Sequence, residues 1–317
     1  MTRAPGCGPI PRADERVSSG WIPGYTFTIP PTKLVQVDID PDEIGRNYPV
    51  HLGVIADAKA FVRAVLALAE ARATGGHEPW RARVAAWQQD WRAYNERRYR
   101  ADAVPLQAEH VVRTLRQVVP RDGIVAVDVG VHHNWVVQQW PVYLPQTLLQ
   151  SWGFAAMGFA VGGVLGVKLA APDRRAVAVC GDGGFLMASH AVATAVEYGI
   201  PATWVVWNNS GYVSIRDLQR GAFGKETTTM FSREATGEPF SPDYALLARA
   251  CGADGFRVTA PGELGDALAA AVRSDRPTVV DVVVDPSTSP VATGTWQLPP
   301  LPYPEPNYPA LAGPGRT

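Results

Sequence analysis

The residues with the clearest chemical potential sit at the two ends of one stretch, GDGGFLMASHAVATAVEYGIPATWVVWNN, residues 181–209. Asp182 offers a carboxylate boxed by glycines. Asn209 closes an adjacent pair of amides, Asn208 and Asn209, 27 positions later. A carboxylate and an amide carbonyl are hard oxygen ligands. They suit Mg²⁺, which takes few ligands from protein and the rest from phosphate and water. Gly183 and Gly184 lack a Cβ, so their backbone can approach a ligand closely and turn N–H groups toward phosphate oxygens. A helix expected to start near Ala188 would aim its positive end at the same place. The ligand that fits this chemistry is a diphosphate carried on Mg²⁺. GDG alone is a common turn composition whose aspartate usually serves the local backbone. The doubled asparagine behind an apolar strand is what makes the pattern specific.

Asp182 and Asn209 can meet only if the chain between them returns to the same edge of a sheet. The sequence reads that way. AVAVCGDGG (176–184) is a strand running into a turn, SHAVATAVEYG (189–199) a helix, and ATWVVWNN (202–209) a strand. Upstream lie a helix over 106–119, the strand GIVAVDVG (123–130) and a glycine-rich helix over about 153–171. Downstream lie a helix over 242–252, a short strand over 253–260, a helix over 261–274 and the strand PTVVDVVVD (277–285). Helices alternate with strands, and the strands are nearly continuous apolar runs. This predicts an α/β fold with a doubly wound parallel sheet covered on both faces. In such sheets ligands bind at the carboxyl ends of strands, where both Asp182 and Asn209 fall.

The amino-terminal part is different. KLVQVDID (33–40) and HLGVIAD (51–57) read as strands, and 57–73 as a helix with Asp57 at its N-cap. This β-β-α piece is too small for a domain and reads as the end of one. A helix over 80–101 places Trp80, Val84, Trp87 and Trp91 on one face. That face suits packing at a domain joint better than stacking on nucleic acid. The expected organisation is a central-domain remnant over 1–74, a linker helix over 75–104, the sheet domain over 105–285 and an extended Pro- and aromatic-rich tail over 286–317.

Composition narrows the function. The 317 residues carry a net charge of -1, so there is no electrostatic footprint for nucleic acid or an acidic membrane. No apolar run reaches the ~20 residues that span a bilayer, and the start shows no secretory signal. Cys7, Cys180 and Cys251 are too scattered for a disulfide framework or a metal site. A cytoplasmic location follows by default. Neither G-x-G-x-x-G after an early strand nor G-x-x-x-x-G-K-[ST] is present, which argues against a nucleotide site of either kind.

GDG followed by NN is the pattern of thiamine-diphosphate-dependent enzymes. DVGVHHNW (128–135), residues 150–187 and AVEYGIPATWVVWNNSGY (195–212) resemble the pyrophosphate-binding domain of the acetolactate synthase group. Residues 30–60 resemble the end of that family's central domain. The resemblance implies Asp182, Asn209 and the carbonyl of Gly211 as Mg²⁺ ligands. It implies cofactor contacts from the turn formed by Gly181, Asp182, Gly183 and Gly184, from Tyr212, and from one histidine of VHHNW, either His132 or His133. Met157 matches an apolar wedge under the bent cofactor, and the carbonyl of Ala155 matches the acceptor for its aminopyrimidine. Trp152 and Phe154 read as packing. Leu218 stands where the family often has a tryptophan near the substrate channel, so substrate choice stays open.

The resemblance also implies what lies elsewhere. The family's activating glutamate belongs to an N-terminal pyrimidine domain and acts across a subunit interface. Glu15, Glu43, Glu70 and Glu78 lie in no such context, so no catalytic residue is assigned in this chain. The implied reaction is decarboxylation of a 2-oxo acid such as pyruvate with carboligation, in company with a pyrimidine-domain polypeptide or as a homo-oligomer. The alternative is a cofactor-binding module without turnover of its own. Flavin adenine dinucleotide would use a pocket touching Asp38 and Asp57. Most of that domain has no counterpart in this chain, and flavin retention is not expected.

Overall fold

The computed structural model describes residues 33–46, 49–70, 77–151 and 154–288. Cys7, Trp152 and nearly all of the expected tail lie outside them. The chain divides into two units that part after Trp91.

In the first unit, β1 (Val35–Asp38) and β2 (Leu52–Ile55) pair in parallel, and α1 (Ala58–Glu70) follows. The Asp57 carboxylate accepts from the Ala60 N–H at 2.9 Å, an N-cap that satisfies one otherwise orphaned donor. Along α2 (Glu78–Arg98), Trp80 and Trp87 meet edge to face at 5.6 Å, as their one-face spacing predicts.

The second unit is one parallel sheet of six strands in the order β4-β3-β5-β6-β8-β7. The strands are β3 (Ile124–Val127), β4 (Leu148–Gln150), β5 (Ala176–Gly181), β6 (Thr203–Asn208), β7 (Asp254–Val258) and β8 (Thr278–Val283). Alternate side chains go to opposite faces. Val125, Val127, Val177, Val179, Val205 and Trp207 enter one core with α3 (Ala108–Val118), α4 (Val131–Gln139) and α10 (Pro261–Arg273). Ala126, Ala178, Cys180, Trp204 and Val206 enter the other with α5 (Phe159–Ala170), α7 (Ala191–Glu197) and α9 (Tyr244–Ala250). Both faces are dry, which explains why the strands read as unbroken apolar runs. The Trp204 indole N–H donates to the Val161 carbonyl at 2.9 Å and pins α5 to the sheet. Truncating a buried tryptophan of this kind costs about 3–5 kcal/mol.

The order of the strands positions the site. From β3 the chain goes outward to β4, then crosses back to β5 on the other side. The segments leaving β3 and β5 therefore diverge, and a crevice opens at their carboxyl ends.

Three local expectations are corrected. A helix, α6 (Asp182–Ala188), begins at Asp182 itself, so the helix end at the GDG turn is not the one expected near Ala188; α7 starts only at Ala191. The glycine-rich helix starts at Phe159 rather than near 153, because Gly158 takes a left-handed conformation that ends the preceding turn. Phe154 is not packed but 96% exposed. The edge strand β4 and the helices α4 and α8 (Val213–Phe223) add elements that periodicity did not mark.

Candidate functional site

The crevice is an open cleft of about 490 Å³ at the ends of β3, β5 and β6. Asp182 and Asn209 both line it, because Gly181 and Trp207 are register partners on adjacent parallel strands. Each side chain is the first or second residue beyond that pair. Gly181, Gly183, Gly184, Gly211, Tyr212, His132 and Met157 also line the cleft. His133 and Ala155 do not appear in its wall.

Asp182 is buried, and its carboxylate is held from two sides. Oδ1 accepts from the Gly183 N–H at 2.8 Å, and Oδ2 accepts from the Gly211 N–H at 3.0 Å. Burial nevertheless pushes its pKa up to about 7 against those hydrogen bonds. A carboxylate desolvated to this degree is stabilised in its charged form by a cation beside it. Asn209 is buried and lines the cleft. Its neighbour Asn208 is fully engaged away from the cleft: its Nδ2 donates to Asp281 Oδ1 at 2.8 Å, and its Oδ1 accepts from Ser241 Oγ at 2.6 Å.

The structure separates the two histidines. The His132 ring lies over Gly130 and Gly181; a Cβ at either glycine would come within 2.8 and 3.3 Å of it. Its Nε2 is buried without a partner. Burial, then the nearby His133, holds its pKa down to about 3, while the Asp128 carbonyl accepting from the ring acts the other way. His133 instead engages Gln150 and Asn134.

The glycines have a packing role that sequence reasoning missed. A Cβ on Gly183 would lie 2.4 Å from the Tyr212 ring, and one on Gly184 would lie 2.3 Å from Asp128 Oδ2. Tyr212 stacks edge to face on Phe231 at 5.2 Å. Gly211 has φ +155° and Ser210 φ 57°. A Cβ on Gly211 would meet the Thr229 carbonyl at 2.6 Å, because residues 229–231 pair with 210–212 across this turn. Only glycine fits there.

Asp128 also escaped the sequence reading. It is buried at the end of β3, and its Oδ2 accepts from the Gly158 N–H at 2.9 Å. It thereby fixes the turn that presents Met157 to the cleft. Ala155 precedes this turn at φ 54°, a strained conformation for a residue with a Cβ. Outside the cleft, Asp38 accepts from the Asp40 N–H and Asp57 caps α1, so both have local employment.

The donor set is oxygen-rich and mixed. Among the described residues no group of three or more His, Cys, Asp or Glu is arranged to hold a metal. A hard cation here would draw on one carboxylate, one amide oxygen and backbone carbonyls, as Mg²⁺ tolerates. The orphaned Nε2 of His132 belongs to the same cleft wall as the Asp182 carboxylate and the Asn209 amide, so the residues present fit a metal-bound phosphate group.

Comparison with known proteins decides the family. The profile described as "Thiamine pyrophosphate enzyme, C-terminal TPP binding domain" matches residues 128–282. The profile described as "Thiamine pyrophosphate enzyme, central domain" matches residues 12–65. The chain belongs to the thiamine pyrophosphate enzyme family. Within that family it is similar to the Bacillus subtilis protein YdaP, named as thiamine pyrophosphate-containing, at 32% identity over 255 residues, 80% of this chain and 42% of that one. It is similar to the acetolactate synthase large subunit of Parasynechococcus marenigrum at 31% over 278 residues, 86% of this chain and 42% of that one. The isozyme 3 large subunit of Escherichia coli acetolactate synthase is 29% identical over 263 residues, 81% of this chain and 44% of that one. The chain thus spans less than half the length of these thiamine pyrophosphate enzyme relatives. No helix among the described residues is long and apolar enough to cross a membrane.

Proposed function

We propose that this chain holds thiamine diphosphate (thiamine pyrophosphate) through Mg²⁺ in the cleft and serves 2-oxo acid decarboxylation and carboligation of the acetolactate synthase type. Asp182, Asn209 and the Gly211 carbonyl would hold the ion. His132 and the backbone of Gly181, Gly183 and Gly184 would face the diphosphate, with Tyr212 buttressing Gly183. Met157 would support the rings, and the Ala155 carbonyl would serve the aminopyrimidine. When bound, thiamine diphosphate supplies the electron-accepting centre for loss of carbon dioxide and carbon–carbon bond formation. This chain's own part is to bind, orient and desolvate.

One observation carries the reading: an aspartate and an asparagine 27 residues apart line one cleft with a buried, unpartnered imidazole nitrogen. The names of the relatives support pyruvate as the 2-oxo acid to test first. We further propose that the activating glutamate comes from a pyrimidine-binding domain outside this sequence, joined to it or supplied by a second polypeptide or copy.

The test mixes the purified chain with Mg²⁺, thiamine diphosphate and pyruvate. Calorimetry should show Mg²⁺-dependent cofactor binding, and carbon dioxide should appear only once a pyrimidine-domain polypeptide is added. Failure to bind the cofactor would sink the site assignment. Carbon dioxide release by the chain alone would sink the external glutamate.

A further inference from the structure

β8 is an apolar strand, TVVDVV, interrupted by one aspartate. Asp281 is fully buried on the face that packs against α9 and does not line the cleft. A buried carboxylate needs donors, and Asp281 collects them from three segments. Oδ1 accepts from Asn208 Nδ2 at 2.8 Å, at the end of β6. Oδ2 accepts from the Tyr244 N–H at 3.2 Å, at the start of α9. Oδ2 also accepts from Arg257 Nη1 at 2.6 Å, on β7, where Arg257 is its register partner. Ser241 Oγ then donates to the other end of the Asn208 amide at 2.6 Å.

The consequence falls on Asn208. Its NH₂ must face Asp281, and its carbonyl must face Ser241. Both ends of the amide are determined, and the backbone is held too, since the Val284 N–H donates to the Asn208 carbonyl at 2.9 Å. The next residue is Asn209, which lines the cleft. A buried ion pair is weak evidence for stability, because apolar replacements of similar volume are often neutral or better. Its use here is geometric.

We infer that Asp281, together with Arg257 and Ser241, is a positioning residue that clamps Asn208 and thereby aims Asn209 at the metal. This rests on the proposed Mg²⁺–thiamine diphosphate site. Direct partners of metal ligands typically change metal affinity about 10- to 100-fold when removed; Asp281 acts one residue removed, through Asn208, and belongs at the lower end of that range.

Mg²⁺-dependent binding of thiamine diphosphate is measured by calorimetry, and apo-protein melting alongside it, for Asp281→Asn, Arg257→Met, Arg257→Lys and Ser241→Ala. Val279→Ala is the control: it opens a cavity two residues away on the same strand face and removes none of the network's hydrogen bonds. The expected result is a loss of affinity of about tenfold for Asp281→Asn, less for Arg257→Met and Ser241→Ala. Arg257→Lys should recover part of the Arg257→Met loss. Val279→Ala should melt earlier yet bind within about twofold of wild type. Unchanged affinity in the three network variants would overturn the inference. So would a Val279→Ala loss as large as theirs. Should Asp281→Asn fail to fold, the partly exposed Arg257 and Ser241 decide the matter. A wild-type chain that does not bind the cofactor would instead overturn the cofactor reading itself.

Discussion

Two sets of polar side chains gather at the carboxyl edge of the sheet, and they are built on opposite terms. His132, Asp182 and Asn209 line the cleft. The imidazole Nε2 lacks a protein partner, and Asp182, though hydrogen-bonded on both oxygens, is desolvated until its pKa stands near 7. Asp128, Asn208 and Asp281 lie behind them and are saturated by protein donors and acceptors. The front set carries a buried imidazole nitrogen left open and a carboxylate whose charge is costly in the apo fold. The back set is closed and holds the front set in place. The open imidazole nitrogen and the desolvated carboxylate face the cleft, and the closed groups stand behind them.

The largest effect that would break this comparison is on cofactor affinity. Asp182→Asn should weaken Mg²⁺-dependent thiamine diphosphate binding by more than about 100-fold, beyond the range of outer partners, as read by calorimetry. Near-native affinity in that variant would place Asp182 in the closed set. Asp128→Ala should do the reverse. It strands the Gly158 and Ala160 N–H groups at the head of α5, and urea denaturation should record a stability loss of about 1–3 kcal/mol.

His132→Gln should weaken cofactor binding about tenfold, the equivalent of one hydrogen bond to a charged group. The pH dependence sharpens the same point. The folded pKa of Asp182, about 7, lies above its ordinary 3.8. The folded apo chain therefore holds a proton that the unfolded chain has released between those values. This group's contribution to stability falls as pH rises from about 4 to 7, by at most ~1.4 kcal/mol per pH unit. His132, held near 3, acts oppositely below 6.5: its burial destabilises the fold as pH falls. The difference between wild type and Asp182→Asn in metal-free denaturation across that range isolates the aspartate. A flat difference would mean Asp182 is not desolvated. The smallest effect is expected at Phe154→Ser, where a side chain 96% exposed should change the stability of the isolated chain by less than about 0.5 kcal/mol.

Much of this was legible in the residues. The alternation of apolar strands with helices carried the parallel sheet, and the strand ends carried Asp182 and Asn209 to its rim. Periodicity could not mark α6, because its seven residues are too short to show a period. It could not choose between His132 and His133, which are adjacent on a helix. Asp128 and Asp281 sat in apolar strands and read as isolated polar residues. Their partners lie 30 and 73 positions away and are brought near only by the fold. Phe154 reads as packing from its residue type, yet the fold leaves it 96% exposed.

By itself the sequence determined which elements form and which chemistry the rim can do, since both depend on residue type and local spacing. Only the tertiary structure decided which polar groups are open and which are closed. Satisfaction of a buried donor or acceptor depends on contacts between distant strands, and no local pattern encodes those.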